Sequence, residues 1–424
     1  MTESLCLRAK KIEEWAETHM IDSNGIVYTF IDKNTNRSAT SEFFEGYDAY
    51  SPPGYTPAEY DAYENCGMTT GAYLQALCFR YDVEKDTMTL MRARRCFEAL
   101  CYIYNMGKEL DEGFFPKIYG NRFSTQTSTD QVLYAAMALD HFSKYATDAE
   151  QKEIDRMIVA MVRFWVKRAY RYTYFNLVDM PWPLGRFPSL LLLAFNHSGD
   201  EGFKKEYDRL LAMGVNQYPT EEQLRPKLAG LWPPSDYERS QQAWMLINMA
   251  DCVTMDSLEL DYLLRNDPQN QWAPAWRMSM QQMWNEGKLT FAMDGTCYTS
   301  VLIDFETKEV RRLEPKMLEP GIGDALDGWS FSRYIHGASS GWSTMLARAG
   351  IQVYQHISDD PSLPSTVLNI LRSINLDGLT YYNEPERFLP QHRYLTNFVS
   401  GDALGSWLWA YWLGRKNGLI DHEI

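Results

Sequence analysis

The chain has 424 residues, 45% hydrophobic and 23% charged, enough for one large core or two to three ordinary ones. A formal net charge of -15 excludes general binding to nucleic acid or to an anionic membrane, which a negative field opposes. The apolar run nearest to a spanning segment, SLLLLAF at 189–195, is too short to cross a bilayer, and MTESLCLRAKKIEEW lacks a signal-peptide core, so a soluble, cytoplasmic protein is expected.

Residues 3–19 read as a first helix, followed by the extended NGIVYTFID and a loop to about 56. Thr56-Pro57-Ala58-Glu59 then starts a helix over about 58–80, with a Thr cap, Pro at the first helical position and Glu three after the cap. Gly67 and Gly71 inside it mark a close packing contact or a local break. The next helix spans 88–107, with Phe97, Leu100 and Tyr104 at helical spacing. Ser128-Thr129-Asp130-Gln131 reads as a second capping box, opening a helix over 126–146. Thr147 with Glu150 starts its partner, which extends to about 170.

Helices follow at 186–196 and 200–213, then at 236–251, where Ser235 with Glu238 repeats the capping signal. Further helices are expected at 255–265 and 272–285. Residues 288–313 turn to extended patterns that resemble a hairpin with its turn near Glu306-Thr307. Helical signals return at 333–356, 363–373 and 401–416. No Pro/Gly/Ser linker divides the chain, so one domain over 1–424 is expected, with a hairpin-like insertion around 288–313. Seven cysteines form no framework, and Cys96 and Cys101 make no CxxC pair, so they read as buried thiols.

Long aromatic connections alternate with short ones along this series. Helices linked this way form antiparallel pairs, with the long connections gathered at one end. The near-dozen helices therefore look like an all-α (α/α)6 toroid. Within that class, YENCGMTTGAYLQAL, FFPKIYGN and TSTDQVLYAAMALDHF resemble six-hairpin glycosidases and related uronide-processing enzymes. The resemblance implies an active cleft near the N-terminal ends of the inner helices, and hydrolysis with inversion through a water.

The stretches 64–68, 111–130, 176–187, 229–239, 324–336 and 384–402 would meet at such a cleft. Glu64 caps a helix or, desolvated by aromatic neighbours, acts as a general acid. Asn65 satisfies a turn, orients that acid or binds a sugar hydroxyl. Asp130, in the first turn of its helix, is favoured in its charged form by the helix dipole. It suits a base, a hydroxyl anchor or a structural cap. Asp236, Glu238 and Arg239 form an ionic set after LWPPS, either as caps and a surface pair or as acid, anchor and two-pronged carboxylate donor. Arg186 and Arg333 are further candidates for a uronate carboxylate.

His336 is a structural histidine, a carboxylate-orienting group or a substrate donor. Trp182, Trp232, Trp329 and Tyr334 stack on sugar rings or pack internally. Asp179, Asp324, Asp327 and Asp402 stand in reserve as second carboxylates. No HExxH or GxxxxGK[ST] string occurs, and no cofactor or metal is expected.

These readings lead to a glycoside hydrolase acting on an oligosaccharide, with a terminal uronate or unsaturated uronate as the preferred end. A polysaccharide lyase using Tyr334 with His336, a sugar epimerase of the same shape and a non-catalytic carbohydrate-binding scaffold are the alternatives.

Overall fold

The computed structural model describes residues 3–174, 178–181, 184–214, 244–248, 255–291, 300–304, 310–312, 340–357, 360–380 and 390–421. Contacts group the chain into two compact units, residues 1–45, 49–215 and 399–424 in the first and 46–48 with 216–398 in the second.

The first unit begins with helix α1 (Leu5–His19), whose Ser4 side chain accepts the Leu7 N–H. The capping box expected at Thr56 and Glu59 is present and starts α2 (Pro57–Tyr63). The helix expected over 58–80 is interrupted, however. It stops after Tyr63 and restarts as α3 (Cys66–Glu84). The cause is tertiary: the Asn65 N–H donates to Thr29 Oγ1 at 2.7 Å, while Gln131 Nε2 donates to the Glu64 carbonyl at 2.7 Å. Both interactions come from outside the helix and stabilise the break between α2 and α3.

Then α4 (Thr87–Gly107) follows a two-residue link in which Lys85 takes the left-handed conformation and Asp86 caps the new helix. Next come α5 (Thr129–Ser143) and α6 (Asp148–Lys167), the latter opened by the expected Thr147/Glu150 box. The Ser128 box is not formed; the Ser128 side chain makes no cap bond, and Gln131 reaches instead to the break before α3. Short links also join α5 to α6 and α7 (Phe187–Ser198) to α8 (Glu201–Ala212). Long connections precede α5 and α7, each folded into a small antiparallel pair, Ile118–Tyr119 with Arg122–Phe123 and Arg171–Tyr174 with Val178–Pro181. The C-terminal helix, Gly401–Lys416, completes the unit.

Burial separates inner from outer helices. Every residue from Cys66 to Cys78 of α3 is buried, as is every residue from Gly401 to Gly414 of the C-terminal helix. By contrast α6 and α8 bury one face, the pattern of a helix with solvent on its other side. Helix α3 lies against α4, α5 and the C-terminal helix. Two glycines allow that approach. A Cβ on Gly71 would lie 2.8 Å from the Tyr134 carbonyl carbon and oxygen, and one on Gly405 would lie 3.1 Å from the Ala72 Cβ. The glycines that weaken helix propensity are thus the ones that let helices touch.

In the second unit, α9 (Ser257–Asn266), α10 (Ala273–Gly287), α11 (Ser340–His356) and α12 (Leu363–Ser373) form two further pairs, with α11 against α9, α10 and α12. A Cβ on Gly350 of α11 would come within 2.8 Å of the Trp284 ring. The expected hairpin exists, pairing Ser300–Asp304 with Val310–Arg312. One expectation is corrected here. Residues 244–248, read as part of a helix over 236–251, are a strand paired antiparallel with Ser300–Asp304. WMLIN is a short, nearly continuous apolar run, which periodicity cannot assign to helix or strand; a partner strand distant in sequence decides it.

Candidate active site

In the first unit the N-terminal ends of the inner helices each bring a polar side chain. Helix α3 contributes Glu64 and Asn65 at its start, α5 contributes Asp130 and Gln131, α7 contributes Arg186, and the C-terminal helix contributes Asp402. The long connection before α5 adds Lys117. Its N–H donates to the Gln126 carbonyl at 2.7 Å, and its carbonyl accepts from Ser124 Oγ at 2.6 Å, so the backbone is fixed on both sides.

Lys117 is only 3% exposed. Its Nζ donates to Glu64 Oε1 and lies 3.5 Å from Asn65 Oδ1. A buried cation needs such a partner, because desolvation of an unpaired ammonium would cost several kcal/mol. Glu64 is therefore an ion-paired carboxylate, half-buried at the helix break.

Asp402 differs. It is 6% exposed, and its Oδ1 has no hydrogen-bond partner. Burial first, then the charges of Glu64 and Asp130, push its carboxyl well above the ordinary value of 3.8, with the Lys117 cation opposing. A position in the first helical turn would by itself favour the anion. Desolvation and two like charges outweigh the dipole and favour the protonated form of Asp402.

Asp130 is half-buried in the first turn of α5. Arg186 is buried, and its Nη1 donates to Thr129 Oγ1 at 2.7 Å, tying the start of α7 to the start of α5. Gln131 joins α5 to α3 in both directions, since its Oε1 also accepts the Gly67 N–H at 3.2 Å. A Cβ on Gly67 would stand 2.6 Å from that Oε1, so this glycine is required by the side chain facing it. Cys66, next to the break, is a buried thiol raised by burial, as expected of a structural cysteine.

The structure thus assembles Glu64, Asn65, Asp130 and Arg186 around inner-helix N-termini. Trp182, Trp232, Asp236, Glu238, Arg239, Trp329, Arg333, Tyr334 and His336 lie outside the described residues, as do the reserves Asp324 and Asp327. Lys117 had drawn no assignment, although it sits in FFPKIYGN, and a lone lysine flanked by apolar residues was its only signal. Asp402 was a reserve; its burial comes from packing that the SGDALGSW string does not encode locally.

The chain matches no protein-family model, and no curated protein matches its sequence. Solved structures do resemble it. An unsaturated glucuronyl hydrolase specific for heparin aligns with a TM-score of 0.56 at 10% identity, covering 99% of each chain. A sugar epimerase from a ruminal bacterium gives 0.55 at 10% identity, over 95% of this chain and 98% of its own. A polysaccharide lyase gives 0.52 at 12% identity, over 84% and 92%. The chain has the all-α (α/α)6 toroid, or six-hairpin, fold. These three structures bear the names of carbohydrate-processing enzymes of different reaction types, and no single family among them is singled out.

Proposed function

We propose that this chain is a carbohydrate-processing enzyme, and specifically a glycoside hydrolase that removes a terminal uronate or unsaturated uronate from an oligosaccharide. The observation that carries the reading is the buried, unpartnered Asp402, whose carboxyl is raised by burial and by the charges of Glu64 and Asp130. Two carboxyl groups with opposed protonation states are what glycosidic hydrolysis requires. Asp402 donates its proton to the leaving glycosidic oxygen. Asp130 takes a proton from a water whose oxygen bonds to the anomeric carbon, giving inversion. Glu64, paired with Lys117, contributes charge that keeps Asp402 protonated.

The uronate preference draws on two buried cations, Lys117 in the connection before α5 and Arg186 at the start of α7. A planar guanidinium suits a planar carboxylate. Among the described residues no histidine stands with these carboxylates. His141 and His197 bind other carboxylates near the far ends of α5 and α7.

The test is turnover of a panel of oligosaccharides capped by unsaturated uronate, saturated uronate or a neutral sugar, followed by mass and ultraviolet absorbance. Two products that together gain one water, from uronate-capped substrates first, are expected. Cleavage without added water and with a new unsaturated end would replace the reading with a lyase. An isomer of unchanged mass would replace it with an epimerase.

A further inference from the structure

Asp402, Ser406 and Trp409 are spaced i, i+4 and i+7 along the C-terminal helix, so they share one face. The face is layered. Asp402 is at the mouth, Ser406 lies one turn deeper, and Trp409 closes the floor. There the Trp409 ring meets Tyr134 edge-on at 5.9 Å and stacks on Phe79 at 6.5 Å. Asp130 and Tyr134 have the same i, i+4 relation on α5, so the two helices present a carboxylate above an aromatic ring to each other.

Ser406 is fully buried, and its Oγ has no partner. A serine inside a helix ordinarily donates to the carbonyl four residues back, here that of Asp402, and it does not. Asp402 Oδ1 on the same face is the second unpartnered buried oxygen. Leaving either oxygen unsatisfied costs roughly 1–3 kcal/mol, and native proteins meet such costs with ordered water. Side chains at i and i+4 stand about 5–6 Å apart at Cβ, a gap that one water spans.

We propose that an ordered water bridges Ser406 Oγ and Asp402 Oδ1, and that Ser406 is through it the positioning residue for the Asp402 carboxyl. The water donates to Oδ1 and accepts from, or donates to, the serine hydroxyl. In the protonated form of the carboxyl, a water donating to Oδ1 leaves Oδ2 to carry the proton. The positioning role rests on the reading of Asp402 as the acid; the water itself does not.

The first measurement therefore needs no substrate. Infrared difference spectra between the wild type and Asp402→Asn isolate the Asp402 carboxyl C=O band at neutral pH. In Ser406→Ala that band is expected to move to higher frequency, with a fall in Tm. Ser406→Cys, of similar shape and weaker in hydrogen bonding, should shift the band the same way by less. A band unmoved in both variants, with a higher Tm for Ser406→Ala, would mean a dry site and overturn the proposal; so would the absence of any protonated Asp402 band.

Turnover then separates the two ideas. On an unsaturated-uronate-capped disaccharide, Ser406→Ala should lower kcat about fivefold, the loss of one modest hydrogen bond, with KM unchanged. A shifted band with unchanged kcat would leave the water and remove the positioning role. Full kcat in Asp402→Asn would remove the acid assignment itself.

Discussion

The two ends of the inner helices in the first unit carry the same kinds of side chain to opposite effect. At the N-terminal ends, Asp402 is buried beside Glu64 and Asp130, and its carboxyl is pushed well up. At the C-terminal ends, Asp82 of α3 is also partly buried, which would raise it. Hydrogen bonds from His141, Lys416 and Tyr145 outweigh that and hold it well below its ordinary value of 3.8. His197 of α7 stands between Asp155 at 2.7 Å and Asp140 at 3.1 Å. Burial opposes its charge, but those two bonds raise its pKa above the ordinary 6.5. One end satisfies every carboxylate and is built for stability. The other leaves one unsatisfied and desolvated, the state that the acid role proposed for Asp402 accounts for.

Breaking the contrast should give effects of different kinds. The largest is expected from Asp402→Asn, which removes the transferable proton at nearly constant shape. Turnover of a uronate-capped oligosaccharide should fall by about 10²- to 10⁴-fold, the range for general acid catalysis, while the far-ultraviolet spectrum stays unchanged. The mirror experiment is Asp82→Ala. It strips His141, Tyr145 and Lys416 of their common acceptor and should cost about 3 kcal/mol in urea unfolding, with kcat per folded molecule retained.

Gly71→Ala tests the contact that holds α3 against α5 between the two ends. With 2.8 Å to the Tyr134 carbonyl, the added methyl must part the helices, and a loss of about 2 kcal/mol is expected in the same assay.

The smallest effects are the pH dependences, and their signs differ between the ends. Asp402 has a raised pKa, so above pH 3.8 the folded state holds a proton that the unfolded state has lost. Stability falls there as pH rises, and Asp402→Asn should gain on the wild type across that range. Asp82 has a lowered pKa, so its stabilisation is present above 3.8 and disappears as pH falls through its folded value. The deficit of Asp82→Asn should accordingly vanish in acid. His197 has a raised pKa, so its contribution is complete below 6.5 and is lost as pH climbs through the folded value. His197→Gln should lag the wild type by about 1 kcal/mol at pH 6 and converge with it in alkali. Unfolding curves across pH check all three, and equal slopes at both ends would erase the distinction.

Much of the fold was legible in the residues. The Thr56 and Thr147 capping boxes and the span Gly401–Lys416 were readable because caps and helical periodicity are local. So was the alternation of short and long links, since link length needs no partner. The break at Glu64 and Asn65 was not readable as such. The glycines nearby pointed to some irregularity, but the groups that stabilise it are Thr29 and Gln131, 36 and 67 residues away. The strand Trp244–Asn248 was hidden for the same reason, its partner lying at Ser300–Asp304.

The site followed that rule. Glu64, Asn65, Asp130 and Arg186 were legible as candidates because each sits at a helix start, and helix starts are visible in sequence. Their ranking was not visible. Glu64 reads as an acid only until Lys117 is placed against it, and Asp402 reads as one reserve carboxylate among several only until its burial is known. By itself the sequence determined most of the helices, the short links that pair them and the residues at their mouths, all properties of near neighbours along the chain. Which carboxyl keeps its proton was decided by the tertiary structure alone, because desolvation and like-charge repulsion depend on distances between segments that the chain brings together only when folded.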